Sequence, residues 1–438
     1  MNPKKTIVKP SAIGGFPEYS PVQQRQAQKL LDKIRATFEL HGFTPIETPA
    51  VERLEVLLAK GGDTDKEMFL LKRLDDEAEA AGGRDSQALG LHYDLTVPFA
   101  RYAAQHLGHL SFPFKRYQMQ PCWRGERPQD GRFRQFLQCD LDVVSLDKLP
   151  LSFDAEVVLV AVEVLRHFPL GGFDFRISNR KILEGFITGL SPELPLQLVT
   201  RALDKLDKIG REKVLEALGQ LGLTASQCEK CLEISTISTR DTSFVQRVRD
   251  LGIENEKLDL GLQELEWLMT RLHAEGVTEA VVDLSVTRGL DYYTGSVYEV
   301  RWSEFPKLGS IGAGGRYDDL AGNYTNQHLP GVGLSIGFTR IFSKLIAENR
   351  LAAIPPTPTQ VMITWLEEDG QKAHQAARTL RQRGIPCEVF HENSKLLKQL
   401  NYANKKSIPY VYFDADGEIK NMISGVQEAI DLSNWTPA

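Results

Sequence analysis

Residues 114–145, FKRYQMQPCWRGERPQDGRFRQFLQCDLDVVS, restrict what this chain can fold into more than any other stretch. Two runs with strand-like alternation flank a polar loop, Glu126 to Gly131, in which Pro128, Asp130 and Gly131 are turn formers. Successive side chains of a strand point to opposite faces. Arg132 and Arg134 therefore share one face and Phe133 and Gln135 the other, and further on Gln138, Asp140 and Asp142 share a face. The hairpin sets Arg116, Arg124, Arg127, Arg132 and Arg134 against carboxylates and amides. A surface hairpin carries a few arginines for solubility alone, but this density points to a polyanion site beside a small polar ligand.

Size and composition set the outer limits. At 438 residues the chain exceeds what one core usually serves, so two or three domains are expected. With 42% apolar and 25% charged residues it reads as a soluble globular protein. No apolar run approaches the roughly 20 residues of a membrane span. The opening MNPKKTIVKP lacks an apolar stretch behind its lysines, so no secretory signal is expected. Five cysteines suggest no disulfide framework and fit a reducing cytosol. A net charge of −6 argues against indiscriminate nucleic-acid binding, although local basic patches can still contact phosphates.

Along the chain, Ser20, Pro21 and Gln23 form a helix start with a capping box. Ala27, Leu30, Leu31, Ile34 and Phe38 make its apolar stripe, Gly42 ends it, and FTPIETP follows as an extended segment. Residues 75–88 are acidic and rich in small side chains, as in a solvated loop. In LHYDLTVPFARY, Asp94 and Thr96 have the pattern of helix caps. After Pro150 an amphipathic helix and then a strand leading into a helix are predicted. Residues from about 195 to 277 read as mainly helical, with a CxxC at Cys228 and Cys231 that has no second pair to complete a zinc site. Two apolar strands are expected around Arg288-Gly289-Leu290-Asp291-Tyr292-Tyr293. The glycines of GAGGRYDDL (312–320) serve either tight turns or a close ligand approach, and those of GVGLSIGFTR (331–340) precede Arg340 at a strand-to-helix junction. A proline-rich linker then leads to an α/β layout with a parallel sheet. No Walker GxxxxGK[ST] sequence occurs, which excludes a P-loop ATPase; His106-Leu107-Gly108-His109 is read as a loop.

The hairpin, with LHYDLTVPFAR, TRGLDYYTG, GAGGRYDDL and GVGLSIGFTR in the same order, resembles the class II aminoacyl-tRNA synthetases and, within them, the histidyl-tRNA synthetase family. The resemblance implies an α+β catalytic domain built on an antiparallel sheet, with a helical insertion, and a C-terminal α/β anticodon-binding domain. The expected boundaries are 1–194 and 278–350 for the two parts of the catalytic domain, 195–277 for the insertion, 351–359 for the linker and 360–438 for the anticodon-binding domain. It further implies a homodimer through the first helix, the following strand and Pro49, cytoplasmic location, and histidine, ATP with Mg2+ and tRNA(His) as ligands.

Roles follow from the same resemblance. Arg124, Arg288 and Arg340 would be catalytic, acting by charge stabilisation and positioning. Histidine would be held by Asp94, Leu95, Thr96, Arg124, Gln138, Asp142, Arg288, Tyr292 and Tyr293, with Asp142 the partner of the imidazole. ATP would meet Arg124, Glu126, Arg132, Arg134, Phe136 and Arg340, and the tRNA acceptor end Arg127 and Gln129; no protein-held metal is expected. His92 stands where relatives often carry arginine. Lys395, Lys398, Lys405 and Lys406 are a basic cluster that reads either as a solvated helix face or as an RNA contact. The competing implication is a catalytically inactive paralogue that regulates ATP phosphoribosyltransferase; such paralogues usually lack the C-terminal domain and some of these arginines.

Overall fold

The computed structural model describes residues 9–58, 67–72, 88–287, 292–318 and 321–437. Chain contacts divide it into two units, Met1–Glu18 with Leu30–Arg350, and Tyr19–Lys29 with Leu351–Ala438. Helix α1 (Pro21–Leu40) starts at the expected capping box, in which Ser20 N–H donates to Gln23 Oε1 at 2.9 Å and Gln23 N–H to Ser20 Oγ at 3.4 Å. Ala27, Ile34 and Phe38 of its stripe are buried. There follow β1 (Thr44–Pro45), β2 (Val51–Arg53), α2 (Leu54–Leu58), β3 (Leu70–Leu71), β4 (Leu89–Leu91) and α3 (Thr96–Gln105). The hairpin is formed by two ten-residue strands, β5 (Phe114–Trp123) and β6 (Gln135–Val144).

Helix α4 (Ser152–Arg166), β7 (Phe173–Asn179) and α5 (Arg180–Leu190) come next, with Asn179 capping α5 through a bond from Lys181 N–H. The expected helical stretch contains α6 (Leu196–Leu203), α7 (Leu206–Ile209), α8 (Arg211–Gln220), α9 (Ala225–Ser235), α10 (Phe244–Arg249) and α11 (Glu256–Ala274). It also contains a short strand, β8 (Ser238–Thr239), that the helical periodicity concealed. Cys228 and Cys231 are buried on α9, where desolvation pushes both thiols up. Strands β9 (Ala280–Asp283), β10 (Ser296–Trp302), β11 (Ser310–Tyr317) and β12 (Gly331–Ile336) and helix α12 (Phe338–Ala347) complete the first unit.

One nine-stranded sheet organises this unit, in the order β1-β5-β6-β12-β11-β10-β7-β9-β8. The six strands from β5 to β7 are antiparallel, but β1–β5 and β7–β9 are parallel, so the sheet is mixed at its flanks rather than antiparallel throughout. Strand β7 lies between β9 and β10, so the two strands on either side of Arg288 are not neighbours. One face packs on helices: Leu141 and Val143 of β6 and Val332, Leu334 and Ile336 of β12 are buried, as are Val157, Val158 and Val164 of α4 and Ile341, Phe342 and Leu345 of α12. Each such side chain contributes roughly 1.5–3 kcal/mol on burial.

The second unit contains β13 (Val361–Ile363), α13 (Gln371–Gln382), β14 (Cys387–Val389), α14 (Leu396–Lys405), β15 (Tyr410–Phe413), β16 (Glu418–Asn421) and β17 (Gln427–Ala429). The β14-β13-β15 core is parallel, as the α/β alternation predicts. An antiparallel extension, β15-β16-β17, makes this sheet mixed as well. In the lysine cluster, Lys406 pairs with Glu388 at 2.8 Å and Lys398 with Glu392, which reduces the positive charge those two present.

A buried ion pair ties α4 to the sheet. Arg316 of β11 donates from Nε to Asp154 Oδ2 at 3.0 Å and from Nη2 to the same carboxylate, while Nη1 bonds the Leu149 carbonyl at 3.0 Å. Asp154 is fully buried. Asp154→Ala would strand the guanidinium in the interior, and should cost about 3–5 kcal/mol, read from the shift in the urea-unfolding midpoint.

Candidate active site

The register of β5 and β6 pairs Arg116 with Asp142, Gln118 with Asp140 and Gln120 with Gln138. Directly opposed residues share a face, so these form one polar layer on the side of the sheet away from α4 and α12. Every member is buried. Arg116 Nη2 lies 2.7 Å from Asp142 Oδ2, with both side chains almost wholly out of solvent. The approach is a charge contact without hydrogen-bond alignment. Arg116 also donates to Gln118 Oε1 at 3.3 Å and lies over the Phe99 ring at 4.3 Å. Gln118 bonds Thr48 Oγ1 at 2.9 Å, and Gln120 exchanges two bonds with the Thr48 backbone, at 2.8 and 3.1 Å.

Asp142 gains a second partner from β11, where Tyr317 Oη donates to its Oδ1 at 3.0 Å. Two glycines make that arrangement possible. A Cβ on Gly333, opposite Asp142 in β12, would overlap the carboxylate, and one on Gly315 would come within 2.6 Å of the Tyr293 ring. The glycines of GAGGRYDDL lie within a strand, and none of them has a positive φ; at Gly315 the need is room for Tyr293. The rings of Tyr292 and Tyr293 lie 4.1 Å apart between centres, tilted by 34°, and the Tyr292 hydroxyl donates to that of Tyr293 at 2.8 Å.

Charge concentrates here. Burial pushes Asp140 up to about 7; Arg116 pulls it down, while Asp142 and, more weakly, Asp94 push it further. Burial likewise raises Asp142, against the pull of Arg116 and the Tyr317 hydroxyl. Burial raises the Tyr293 hydroxyl too, and the charges of Asp142, Asp94 and Asp140 add to this. Asp94, Asp140, Asp142 and Tyr293 are thus one electrostatic cluster. Asp94 also fills the capping role: its Oδ1 accepts from Val97 N–H at 3.0 Å, with Leu95 buried beside it and Thr96 opening α3. His92 is buried, its ring nitrogens 3.2 and 2.7 Å from the carbonyls of Pro49 and Pro121.

At the loop end of the hairpin, Arg124 donates from Nε to the Tyr93 carbonyl at 3.0 Å and lies 5.0 Å over the ring of Phe136. The Phe136 face, expected for a base, carries this guanidinium here. Arg132 pairs with Glu126 at 3.3 Å, and Arg134 Nε bonds the Glu126 carbonyl at 3.3 Å. Arg340, the third residue of α12, donates from Nε to the Gly131 carbonyl at 2.7 Å and from Nη1 to the Ser310 carbonyl, so it binds the loop to β11. Arg127 and Gln129 are exposed on the loop. Gln120, Gln138, Asp142, Tyr293 and Asp94 are therefore brought together at the strand floor, and Arg124, Glu126, Arg132, Arg134, Phe136 and Arg340 toward the loop. Arg288 lies outside the described residues, with Gly289, Leu290 and Asp291.

Sequence reading counted Arg116 among the arginines of a polyanion site, whereas it is buried against Asp142, and it assigned no site role to Tyr317 or Asp140. Alternation along β5 and β6 carries the signal for Arg116 and Asp140; nothing local marks Tyr317, which lies 175 residues from Asp142. Chemically, the floor offers acceptors to a cationic or N–H-rich ligand, and the loop end offers guanidinium groups to an anion.

The family model described as histidyl-tRNA synthetase matches residues 15–341. The histidine–tRNA ligase of Thermobifida fusca (strain YX) is 47% identical over 439 residues, covering 99% of each chain. The crystal structure of histidyl-tRNA synthetase from Nostoc sp. PCC 7120 superposes with a TM-score of 0.85 at 37% identity, covering 97% of each chain. A structure described as an ATP phosphoribosyltransferase regulatory subunit/histidyl-tRNA synthetase from Bacillus halodurans C shares the fold, with a TM-score of 0.76 at 20% identity over 92% of this chain and 99% of that one.

Gly333→Ala should destabilise the fold by about 1–3 kcal/mol, because the added methyl overlaps the Asp142 carboxylate; the urea midpoint reads it. A second outcome concerns Asp140. An unfolded aspartate titrates near about 3.9, so the folded chain holds the Asp140 proton more tightly, and ionising it costs stability as pH rises from about 4 to about 7. Asp140→Asn removes that cost. Its stability relative to the wild type should climb across this window and level off above it, as unfolding midpoints at a series of pH values would show. A constant difference would mean that Asp140 is ionised throughout.

Proposed function

Because the chain belongs to the histidyl-tRNA synthetase family, we propose that it is a histidine–tRNA ligase, which joins L-histidine to ATP as histidyl-adenylate and transfers the histidyl group to the 3' end of tRNA(His). The observation that carries this reading is full-length similarity, 47% over 99% of the chain, to a protein named histidine–tRNA ligase. The regulatory paralogue is supported only by a likeness of fold at 20% identity. This chain also keeps Arg124, Arg288, Arg340 and residues 360–438, parts that such a paralogue usually lacks.

In the first step the histidine carboxylate attacks the α-phosphate of ATP, and pyrophosphate leaves. Arg124 and Arg288 gather the two anions and stabilise charge at the α-phosphorus, because a guanidinium stays protonated and binds phosphate oxygens bidentately. Arg340, Arg132 and Arg134 hold the outer phosphates, Glu126 reads the adenine edge, and Phe136 stacks on the base after Arg124 turns to the phosphate. Asp94 and Thr96 fix the α-amino group beside Leu95, Gln138 lines the histidine pocket, and Asp142 with Tyr292 and Tyr293 receives the imidazole. The buried Arg116–Asp142 contact supports the last assignment, since it holds an acceptor for a ring N–H in a solvent-free layer. In the second step the terminal ribose hydroxyl of tRNA attacks the acyl group, with Arg127 and Gln129 against the acceptor end.

Among the described residues no group of three or more His, Cys, Asp or Glu side chains could hold a metal ion. Magnesium would arrive with ATP, held by phosphates and water. We assign 1–194 with 278–350 to catalysis, 195–277 to a helical insertion and, beyond the 351–359 linker, 360–438 to anticodon binding. The enzyme would act as a cytoplasmic homodimer through α1, the extended segment after it and Pro49. No described helix is long and apolar enough to cross a membrane.

The test is histidine-dependent ATP–pyrophosphate exchange with the twenty amino acids in turn. Exchange should require histidine, and Arg288→Ala or Arg124→Ala should lower it by about 100–1,000-fold. Histidine binding without any exchange in the wild type would instead favour the regulatory paralogue.

A further inference from the structure

Residues 280–287, which lead directly to Arg288, are held at successive points by the helical stretch 195–277. Strand β8 of that stretch pairs with the end of β9, Thr239 opposite Val282 and Ser238 opposite Asp283. Leu284 N–H then donates to the Ile237 carbonyl at 3.1 Å. There the chain turns. Asp283 Oδ1 accepts from Ser285 N–H at 3.0 Å and from Ser285 Oγ at 2.6 Å, and Val286 N–H bonds the Asp283 carbonyl at 3.2 Å. On the sheet side, Arg176 of β7 pairs with Asp283 Oδ2 at 3.1 Å.

The last anchor is a bond between side chains. Thr287 is buried, and its Oγ1 donates to Asp204 Oδ1 at 3.0 Å, across 83 residues of chain. Asp204 ends α6, where its N–H bonds the Thr200 carbonyl at 3.0 Å and Ala202 and Leu203 before it are buried. The helix therefore sets where the carboxylate stands. A buried hydroxyl needs a partner, and packing alone would be served as well by valine. Asp204 itself is exposed, so water would satisfy its carboxylate without the threonine. What the bond restrains is Thr287. On the far side of Arg288 the chain is tied to other elements: Thr294 N–H donates to the Arg316 carbonyl at 2.9 Å, and the Gly295 carbonyl accepts from Arg180 N–H at 2.8 Å.

We infer that Asp204 is a positioning residue for histidine activation, which fixes through Thr287 the point from which Arg288 departs. The helical stretch thereby takes part in the adenylation step. This rests on the reading of Arg288 given above. Consecutive Cα atoms are about 3.8 Å apart, so an anchored Thr287 confines the residue that follows it. A guanidinium that stabilises charge at the α-phosphorus acts only from the right place, and a displacement of about 1 Å costs up to about 100-fold.

The experiment measures ATP–pyrophosphate exchange for wild type, Asp204→Ala, Asp204→Asn and Thr287→Val, each with and without Arg288→Ala. Asp204→Ala and Thr287→Val should each lower kcat by about tenfold, with KM for histidine and for ATP within about twofold of wild type. Asp204→Asn keeps a carbonyl oxygen for the threonine and should hold kcat within about twofold of wild type. In the Arg288→Ala background the same two changes should cost no more than about twofold, because the group they position is gone. A kcat within about twofold of wild type in either folded single variant overturns the inference. So does an undiminished loss in the Arg288→Ala background, which marks a general structural role, and so does an Asn variant as impaired as the Ala variant. Thr287→Val keeps the shape of the buried side chain, so a folding defect in Asp204→Ala leaves the comparison decidable. Wild-type protein without histidine-dependent exchange would defeat the functional reading itself; exchange that requires Arg288 and is indifferent to Asp204 would defeat only this inference.

Discussion

The contact between Arg116 and Asp142 is the constraint on which the catalytic face depends. Both groups are buried, on adjacent strands, with Phe99 and Tyr317 closing the space around them. A buried ion pair is weak support for net stability, because the cost of desolvation offsets much of the attraction. Its effect on register is stronger. Sliding β5 past β6 by one residue would turn Arg116, Gln118 and Gln120 toward the packed helices, leaving several buried polar groups unsatisfied at once. The pair thereby favours one alignment of the two longest strands, and that alignment places every other polar group of the floor.

Around this pair the chain economises on volume rather than on charge. Gly333 and Gly315 yield their side-chain space to Asp142 and Tyr293, and Ser335 and Ala313 stay small beside Asp140. The helix-packed face of the same strands carries Leu141, Val143, Val332 and Leu334. A period of two residues thus separates a dry apolar face from a polar one, within strands of ordinary length. The other arginines of the site lie toward the loop end of the hairpin, where Arg340 holds the Gly131 carbonyl and Arg134 the Glu126 carbonyl. Acceptors gather at the floor and donors toward the loop.

Much of this was legible in the chain. The capping box at Ser20, the stripe of α1, the hairpin and its shared faces all follow from short-range periodicity and turn chemistry, and the structure reproduces them. The strand β8 escaped because two residues between helices carry no period. The strands flanking Arg288 were read correctly as strands, yet β7 lies between them. Asp94 was legible in two ways, and the structure shows the capping bond to Val97 together with its place in the acidic cluster.

By itself, the sequence determined the elements, the alternation that sorts polar from apolar faces, and membership of a family through motifs in fixed order. These are local properties, set by backbone geometry over a few residues. Only the tertiary structure decided which groups Asp142 meets, why Gly315 and Gly333 are glycine, and that Asp140 is buried with an acceptor atom unmatched. Those depend on pairing between strands far apart in the chain, as the 175 residues between Tyr317 and Asp142 illustrate. A side chain's period shows which face it occupies. Its partners are set by the strands that come to lie beside it, and that choice is made by the packing of the whole sheet.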